Sequence, residues 1–235
     1  MAHDRLTIHD LTADDSPPTA RLVTYSVVAF DPASGDLAIG VASRFLAVGA
    51  VVPYARAGVG AVATQAFANT RWGPRGLDLL AAGSDPEAAV AQLKAEDLGA
   101  EVMRRQVGIV DARGRPATFS GADCTEWAGG RTGQHYACQG NILSGPEVVA
   151  ALGVGFESAS GDLADHVLAA LDAAQAAGGD RRGQQSAALL VVRAGAGFRG
   201  GNDRYIDIRV DDHPQPLDEL GRLLQLWRVT FLTPQ

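Results

Sequence analysis

The sequence predicts an α+β fold in which antiparallel sheets carry helices on their outer faces. Strand-like and helix-like segments follow one another as strands, two helices, strands, two helices, strands and a final helix. Residues 24–31 and Leu37–Ser43 suit strands, and the Pro/Ser/Gly/Asp cluster between them predicts a tight hairpin turn. Ser186–Val192 is almost continuously apolar, which indicates a strand in the interior of a sheet.

After the opening hairpin, residues 48–67 predict two short strands, because Pro53 and two glycines interrupt a strand-like segment. Gly73 and Pro74 begin a helix. A capping box at residues 84–87 (Ser-Asp-Pro-Glu), with proline in the first turn, begins a second helix. Two consecutive helices after strands indicate a helical layer over one face of a sheet.

The middle of the chain predicts three strands. Arg105–Asp111 alternates as a half-buried strand should, and Pro116–Ser120 pairs back onto it after a turn. Residues 124–130 are predicted to be a loop. Residues 135–143 predict a further strand, which ends near Asn141.

The C-terminal part predicts three helices and one more strand hairpin. A capping box at residues 144–147 (Ser-Gly-Pro-Glu) begins the first helix, and leucine and valine at helical spacing from Leu163 define the second. The glycine-rich residues 195–201 predict a hairpin turn, because no helix or lysine follows at the spacing of a phosphate-binding loop. Pro216 leads into the last helix.

Charge and hydropathy exclude several classes of function. The net charge is −7 and the sequence has no basic stripe, which argues against nucleic-acid binding. We find no signal peptide and no apolar run of about 20 residues, so the expectation is a cytoplasmic protein without a membrane partner. The 46% hydrophobic content is enough for one continuous core.

Cysteine and histidine spacing predicts neither a disulfide framework nor a metal site. The two cysteines, Cys124 and Cys138, would pair only if their strands adjoin, which the sequence leaves open. The five histidines lie at no ligand spacing. We therefore expect no metal and no cofactor.

Thr24 is the residue with the most chemical interest, because it begins the first strand. A threonine with a free α-amino group holds both a nucleophile and its base, since the amine has a reference pKa of about 8 and can take the Oγ proton. The simpler interpretation is that Thr24 is only a strand residue, since threonine is common in strands.

Several segments resemble one known family. They are TYSVVA from Thr24, residues 48–65, residues 73–77 and, most specifically, GGDRRGQQSAALLV at residues 178–191. These segments resemble domain-of-unknown-function family 1028, which belongs to the N-terminal nucleophile (Ntn) hydrolase superfamily. The resemblance runs from about Thr24 to near the C-terminus. It implies one domain over residues 24–235, a four-layer αββα sandwich with antiparallel sheets, and a homodimer.

Residues 1–23 lie outside this resemblance and predict an N-terminal arm. An Ntn enzyme needs its nucleophile at the N-terminus, so three hypotheses compete. Autoproteolysis could cut before Thr24, translation could start at Val23 with the first residue then trimmed, or the arm could stay and leave the protein inactive. We favour the start at Val23.

The resemblance implies an amidohydrolase that acts on a small amide-like molecule. Thr24 would be the nucleophile, Asn141 and backbone N–H groups near Gly58–Gly60 would stabilise the oxyanion, and Asp180 would orient an arginine or the Thr24 amine. Arg56 would lower the pKa of the amine and hold a charged substrate, although related enzymes use a lysine there.

Other polar residues are candidates for substrate binding: Gln65, Asn69, Gln139, Arg182 and Gln185. Arg182 could bind a carboxylate with two hydrogen bonds. The alternative is that an Asp180–Arg182 ion pair only fixes the loop before the next strand. Two other functions stay open, namely a ligand-binding protein without catalysis and an oligomeric scaffold in which Thr24 is occluded.

Overall fold

Two antiparallel sheets form the centre of the fold, in a computed structural model that describes residues 24–232. The larger sheet contains six strands: β1 (Thr24–Phe30), β2 (Leu37–Ser43), β7 (Gly129–Gly133), β8 (Tyr136–Asn141), β9 (Ser186–Val192) and β10 (Arg204–Val210). Their order across the sheet is β10-β9-β2-β1-β8-β7. The smaller sheet, in the order β3-β4-β5-β6, contains β3 (Pro53–Arg56), β4 (Gly60–Ala66), β5 (Arg105–Asp111) and β6 (Pro116–Ser120).

Five α-helices cover the sheets within the described residues: α1 (Trp72–Ala81), α2 (Pro86–Glu96), α3 (Pro146–Ser158), α4 (Leu163–Ala176) and α5 (Pro216–Phe231). Helices α1 and α2 pack on the smaller sheet, and α3, α4 and α5 pack on the larger one. A third apolar cluster lies between the two sheets and includes Val28, Ile39, Ala61 and Val110. The predicted α+β class with two antiparallel sheets is therefore confirmed.

Strand β1 lies in the interior of the larger sheet. It pairs with β2 along its whole length from Thr24↔Ser43 to Phe30↔Leu37, which confirms the predicted opening hairpin. On its other side it pairs with β8, from Thr24↔Asn141 to Ala29↔Tyr136. Strand β9 is also interior and buried throughout, as its apolar sequence predicted.

One predicted loop is too long by two residues, and two predicted helix caps were wrong. The predicted loop at residues 124–130 runs into strand β7, whose sequence Gly-Gly-Arg-Thr-Gly has a low intrinsic preference for strand. Asp85, not Ser84, caps α2 by accepting a hydrogen bond from the Ala88 N–H. Helix α3 has no side-chain cap, because its N-cap residue is Gly145 and the Ser144 hydroxyl donates to the Ala177 carbonyl.

A capping box does occur at α4, where the sequence analysis did not identify it. The Asp162 carboxylate accepts from the Asp165 N–H, and the Asp165 carboxylate accepts from the Asp162 N–H. The usual motif has glutamate or glutamine at the third helical position, where this helix has Asp165, so the sequence pattern does not match the motif.

Cys124 and Cys138 are both buried and unpaired with each other. Between residues 24 and 232, no helix combines the length and the apolar character needed to cross a bilayer. The hypotheses about the N-terminal arm concern residues 1–23, which lie outside the described residues.

Candidate functional site

Four polar residues form a row across one end of the larger sheet. Thr24 lies opposite Asn141 on one side and opposite Ser43 on the other, and Ser43 lies opposite Ser186. Residues directly opposite in a sheet project from the same face. Side chains two or four residues apart on a strand project from the same face, so Val28 shares the face of Thr24 and Val41 shares the face of Ser43. Both valines pack between the sheets. The row therefore faces the smaller sheet.

The layer between the sheets changes from apolar to polar as it approaches this row. Ser26, Gln65, Gln106 and Gln139 occupy the inter-sheet positions there, and all four are 0% exposed. Gln65 follows Ala61 and Ala63 on the inward face of β4, and Gln106 precedes Val110 on the inward face of β5. Buried polar groups at such a density need partners, because an unpaired one costs about 1–3 kcal/mol.

These side chains form a directed chain of hydrogen bonds. The Gln139 Nε2 donates to the Ser26 Oγ at 2.6 Å, and this hydroxyl donates to the Gln65 Oε1 at 2.6 Å. The Gln65 Nε2 donates to the Gln106 Oε1 at 2.8 Å, and the Gln106 Nε2 donates to the Ser120 Oγ at 2.7 Å. Both sheets are thus joined by one polar network immediately beside Thr24.

The network also holds the backbone and side chains of the row. The Gln65 Nε2 donates to the Thr24 carbonyl oxygen at 3.2 Å. The Asn141 Nδ2 donates to the Gln106 Oε1 at 2.9 Å, which uses one of its two N–H groups. The Thr24 Oγ1 donates to the Ser43 Oγ at 3.4 Å, a long contact for two hydroxyls. Thr24 is 0% exposed.

One acceptor of the network has no partner. The Gln139 Oε1 is buried and makes no hydrogen bond within the described residues. It occupies space that a side chain at Gly108 of β5 would take, since a Cβ there would lie 2.0 Å from this oxygen. Gly108 therefore provides the room in which the Gln139 amide lies.

A cavity of about 10 Å³ lies beside Asn141, which is the size of one water molecule. Ala66 and Ile142 line it and follow Gln65 and Asn141 directly in the chain. Both have left-handed backbone angles, with φ of 64° at Ala66 and 52° at Ile142. Such angles are strained for residues other than glycine, especially for a β-branched one, and they are often found at functional sites.

Arg104 lies at the same cavity, where its guanidinium stacks 4.2 Å from the centre of the Phe67 ring. The Phe67 N–H donates to the Arg104 carbonyl, which fixes the backbone of this pair. Arg104 was not among the site residues predicted from the sequence. A cation next to Asn141 is a group that could meet a negatively charged part of a ligand.

Asp180 lies beside the row but is occupied by other partners. Its carboxylate accepts from the Arg44 N–H at 2.9 Å and from the Arg182 N–H at 2.8 Å. Arg182 also makes an ion pair with it at 3.1 Å. Asp180 and Arg182 thus have the geometry of the loop-fixing ion pair. Burial of the Tyr25 ring raises the pKa of its hydroxyl, and the negative charges of Asp180 and Asp172 raise this pKa further.

The structure brings together Thr24, Asn141, Gln65 and Gln139, with Asp180 and Arg182 beside them, but it places Arg56 at the other end of the sheet. Arg56 lies opposite Gly60, five residues from Gln65 along β4, or about 16 Å. It makes an ion pair with Asp78 there. Gly58 lies at that same remote end.

The side chains of Asn69 and Gln185 bind other partners than the row, although the Gln185 backbone N–H donates to the Ser43 carbonyl at 3.0 Å. The Asn69 Nδ2 donates to an Asp97 carboxylate oxygen at 3.2 Å, and the Gln185 Nε2 donates to Asp212 at 3.0 Å. No group of three or more His, Cys, Asp or Glu side chains between residues 24 and 232 is placed to hold a metal ion.

The site also contains Ser26, Gln106 and Ser186, which were not predicted from the sequence. Each is a polar residue on the strand face whose apolar residues pack between the sheets further along the strand, and this alternation was the signal in the sequence. Ser186 serves the fold as well, since its Oγ accepts from the Val48 N–H and donates to the Phe45 carbonyl.

Comparisons with known proteins agree with this architecture. A family model described as "Family of unknown function (DUF1028)" matches residues 24–220. The crystal structure of protein SPO2555 from Silicibacter pomeroyi, described with the same family model, is similar with a TM-score of 0.80 and 31% sequence identity. The match covers 88% of this chain and 86% of that one. No curated protein is significantly similar to the chain.

Proposed function

The chain belongs to the DUF1028 family, whose function is unknown, and we propose that it is an amidohydrolase of the Ntn type. Thr24 would attack the carbonyl carbon of a small amide-like substrate. The observation that carries the proposal is the position of Thr24 at the start of an interior strand, directly opposite Asn141 and Ser43. The family match also begins at Thr24.

We extend the proposal to the fold, as a four-layer αββα sandwich of the Ntn type. Its support is the set of three apolar clusters, one between the sheets and one between each sheet and its helices. This arrangement leaves the end of the inter-sheet layer as the place where polar groups from both sheets meet. Thr24 lies at that end.

The proposed reaction requires a chain that begins at Thr24. The Thr24 Oγ1 attacks the substrate carbonyl while its proton passes to the α-amino group, directly or through one water. Collapse of the tetrahedral intermediate breaks the C–N bond, and the α-ammonium gives its proton to the leaving amine. A water deprotonated by the same amine then hydrolyses the ester on Thr24 and regenerates the free hydroxyl.

Asn141 is the proposed donor to the oxyanion. Its side chain lies next to Thr24 on the same face of the sheet, and the bond to Gln106 fixes its orientation. One well-aimed donor of this kind contributes about 3 kcal/mol to transition-state stabilisation. The Ser43 hydroxyl, 3.4 Å from the Thr24 Oγ1, is within reach to relay the proton.

The test compares two forms of the protein. One form begins at Thr24, for example after cleavage of a fusion, and the other retains residues 1–23. We expect a β-lactone probe to add one adduct to the first form, detected by intact mass, and to spare the second. Thr24→Ala in the shorter form is the control. An adduct that persists in Thr24→Ala would remove Thr24 from the nucleophile role.

Two observations favour a second candidate function, a non-catalytic ligand-binding or scaffold protein on the same fold. Thr24 is 0% exposed, and the cavity beside Asn141 has only about 10 Å³. The N-terminal sequence of the natural protein discriminates the two candidates. A natural chain that starts at Thr24 supports the enzyme, whereas one that retains residues 1–23 supports the binding or scaffold role.

A further inference from the structure

A second cavity, of about 210 Å³, lies at the opposite end of strand β1 from Thr24. It is bounded by Phe30 and Asp31, whereas Thr24 lies six residues earlier, or about 20 Å along the strand. The volume is about twenty times that of the cavity beside Asn141, which is enough for a small organic molecule. None of the groups proposed for hydrolysis lines it.

Two histidine–phenylalanine pairs form its walls. The rings of Phe30 and His135 meet edge to face with centroids 6.1 Å apart, and those of Phe156 and His166 meet in the same way at 5.5 Å. His135 has a left-handed φ of 67°, which is uncommon for a residue other than glycine. Its ring fits because Gly114 has no side chain, since a Cβ there would lie 2.1 Å from the His135 Nδ1.

The two histidines differ in the acceptor that they offer to a ligand. The His166 Nδ1 lies 2.8 Å from the Phe156 carbonyl oxygen, and the His135 Nδ1 lies 3.4 Å from the Gly114 carbonyl oxygen. A carbonyl only accepts hydrogen bonds, so each Nδ1 donates to it, which leaves the Nε2 as the acceptor atom of the ring. The His135 Nε2 already lies 3.4 Å from the Gln134 Nε2, an amide nitrogen that can donate to it.

Asp31 adds a negative charge at the same cavity. Burial alone would raise the pKa of its carboxyl, but hydrogen bonds from Ser34 and Ala33 outweigh that effect and lower it. The carboxylate is therefore ionised at neutral pH. Among the described residues that line this cavity, none is a lysine or an arginine.

We infer that this cavity binds a small organic cation, an ammonium group attached to an apolar or aromatic body. The Asp31 carboxylate and the His166 Nε2 would accept its N–H groups. The aromatic rings of Phe30 and Phe156, which line the cavity, would cover its apolar part and attract its charge. A neutral or anionic molecule of the same shape would lack the charge attraction.

The test uses three probes of one shape with the full chain at pH 8: benzylammonium, benzyl alcohol and benzoate. Binding is followed by ¹⁵N amide chemical shifts. We expect benzylammonium to saturate with a Kd on the order of 1 mM or lower, and the other two to bind at least about five-fold more weakly. The shifts should cluster around Asp31, His135 and His166.

Two variants and a matched control complete the test. Asp31→Asn should weaken benzylammonium binding about five-fold and leave benzyl alcohol unchanged, whereas Glu87→Gln, on the exposed first turn of α2, should bind like wild type. If Asp31→Asn does not fold, Phe156→Leu decides, with weaker binding of the cation expected.

Three outcomes would overturn the inference. They are equal binding of all three probes, an unchanged Kd in both Asp31→Asn and Phe156→Leu, and an absence of saturation or shifts that cluster elsewhere. The inference does not depend on the proposed hydrolysis, because Thr24→Ala should bind benzylammonium like wild type.

Discussion

Asn141 lies directly opposite Thr24 on the neighbouring antiparallel strand, and its Nδ2 is held by a 2.9 Å hydrogen bond to the Gln106 Oε1. The two side chains therefore share one face of the sheet, and the orientation of the amide is set from the other sheet. A sequence-distant glutamine thus controls the geometry beside the proposed nucleophile.

Replacing Asn141 tests its role as the oxyanion donor. In a chain that begins at Thr24, we expect Asn141→Ala to lower kcat by about 10²–10³, because one aimed donor is lost. KM should change far less. Asn202→Ala, in the exposed turn between β9 and β10, is the matched control and should retain full kcat. A kcat equal to that of wild type would exclude Asn141 as the donor.

Gly108 and Gln139 are expected to be energetically coupled. Gly108→Ala should lower the free energy of unfolding by about 1–3 kcal/mol, because its Cβ would lie 2.0 Å from the Gln139 Oε1. Urea unfolding gives this value. The same substitution should cost clearly less in a Gln139→Ala background.

Gly221→Ala in α5 is the control for the glycine substitution. The nearest atom to its new Cβ would be the Leu168 Cδ2 at 3.5 Å, an ordinary contact, so we expect no loss of stability. Equal costs at both glycines, or strict additivity with Gln139→Ala, would contradict the coupling.

Asp180 is expected to act on stability more than on catalysis. Its side chain is 1% exposed and holds the Arg44 N–H and Arg182, so Asp180→Asn should cost about 2 kcal/mol. Asp36→Asn is a matched control, because the Asp36 side chain is also buried, at 6% exposed, and makes an ion pair with Arg193. Asp36 directly precedes Leu37, at the end of β2 that lies away from Thr24. A loss of turnover in Asp180→Asn alone would instead assign Asp180 to the reaction.

Both cysteines should resist alkylation in the folded protein. Burial raises the pKa of the Cys124 thiol to about 11, so only about one thiol in a thousand is ionised at pH 8. Burial also raises the pKa of Cys138. We expect iodoacetamide to add no mass at pH 8 until guanidinium unfolds the chain, after which two adducts should appear. Rapid labelling of the native protein would show that a thiol is accessible.

The sequence predicted those elements whose signal is local. The β1–β2 hairpin, the interior strand β9 and most helices follow from composition, turn residues and periodicity. Strand β7 did not, because Gly129–Gly133 is extended through its pairing with β8 rather than through its own preference. The start of α2 was displaced by one residue, because Ser84 and Asp85 are both good capping residues and only the backbone geometry decides between them.

The site was predictable only in part. The resemblance placed Thr24 and Asn141 in it, and Gln65 and Gln139 were among the candidates for it. Arg56 could not be placed from the sequence, because the register of β3 on β4 decides which end of the sheet it reaches. Gln106 and Ser26 were overlooked because a single polar residue in a strand does not reveal the partner that satisfies it.

The interior position of β1 has a consequence for any cleavage before Thr24. A newly created chain terminus normally frays, because nothing but its own neighbours restrains it. Here the first residue would stay registered against Ser43 on one side and Asn141 on the other. The new α-amino group of Thr24 would thus have a fixed position as soon as the chain is cut, without any refolding of β1.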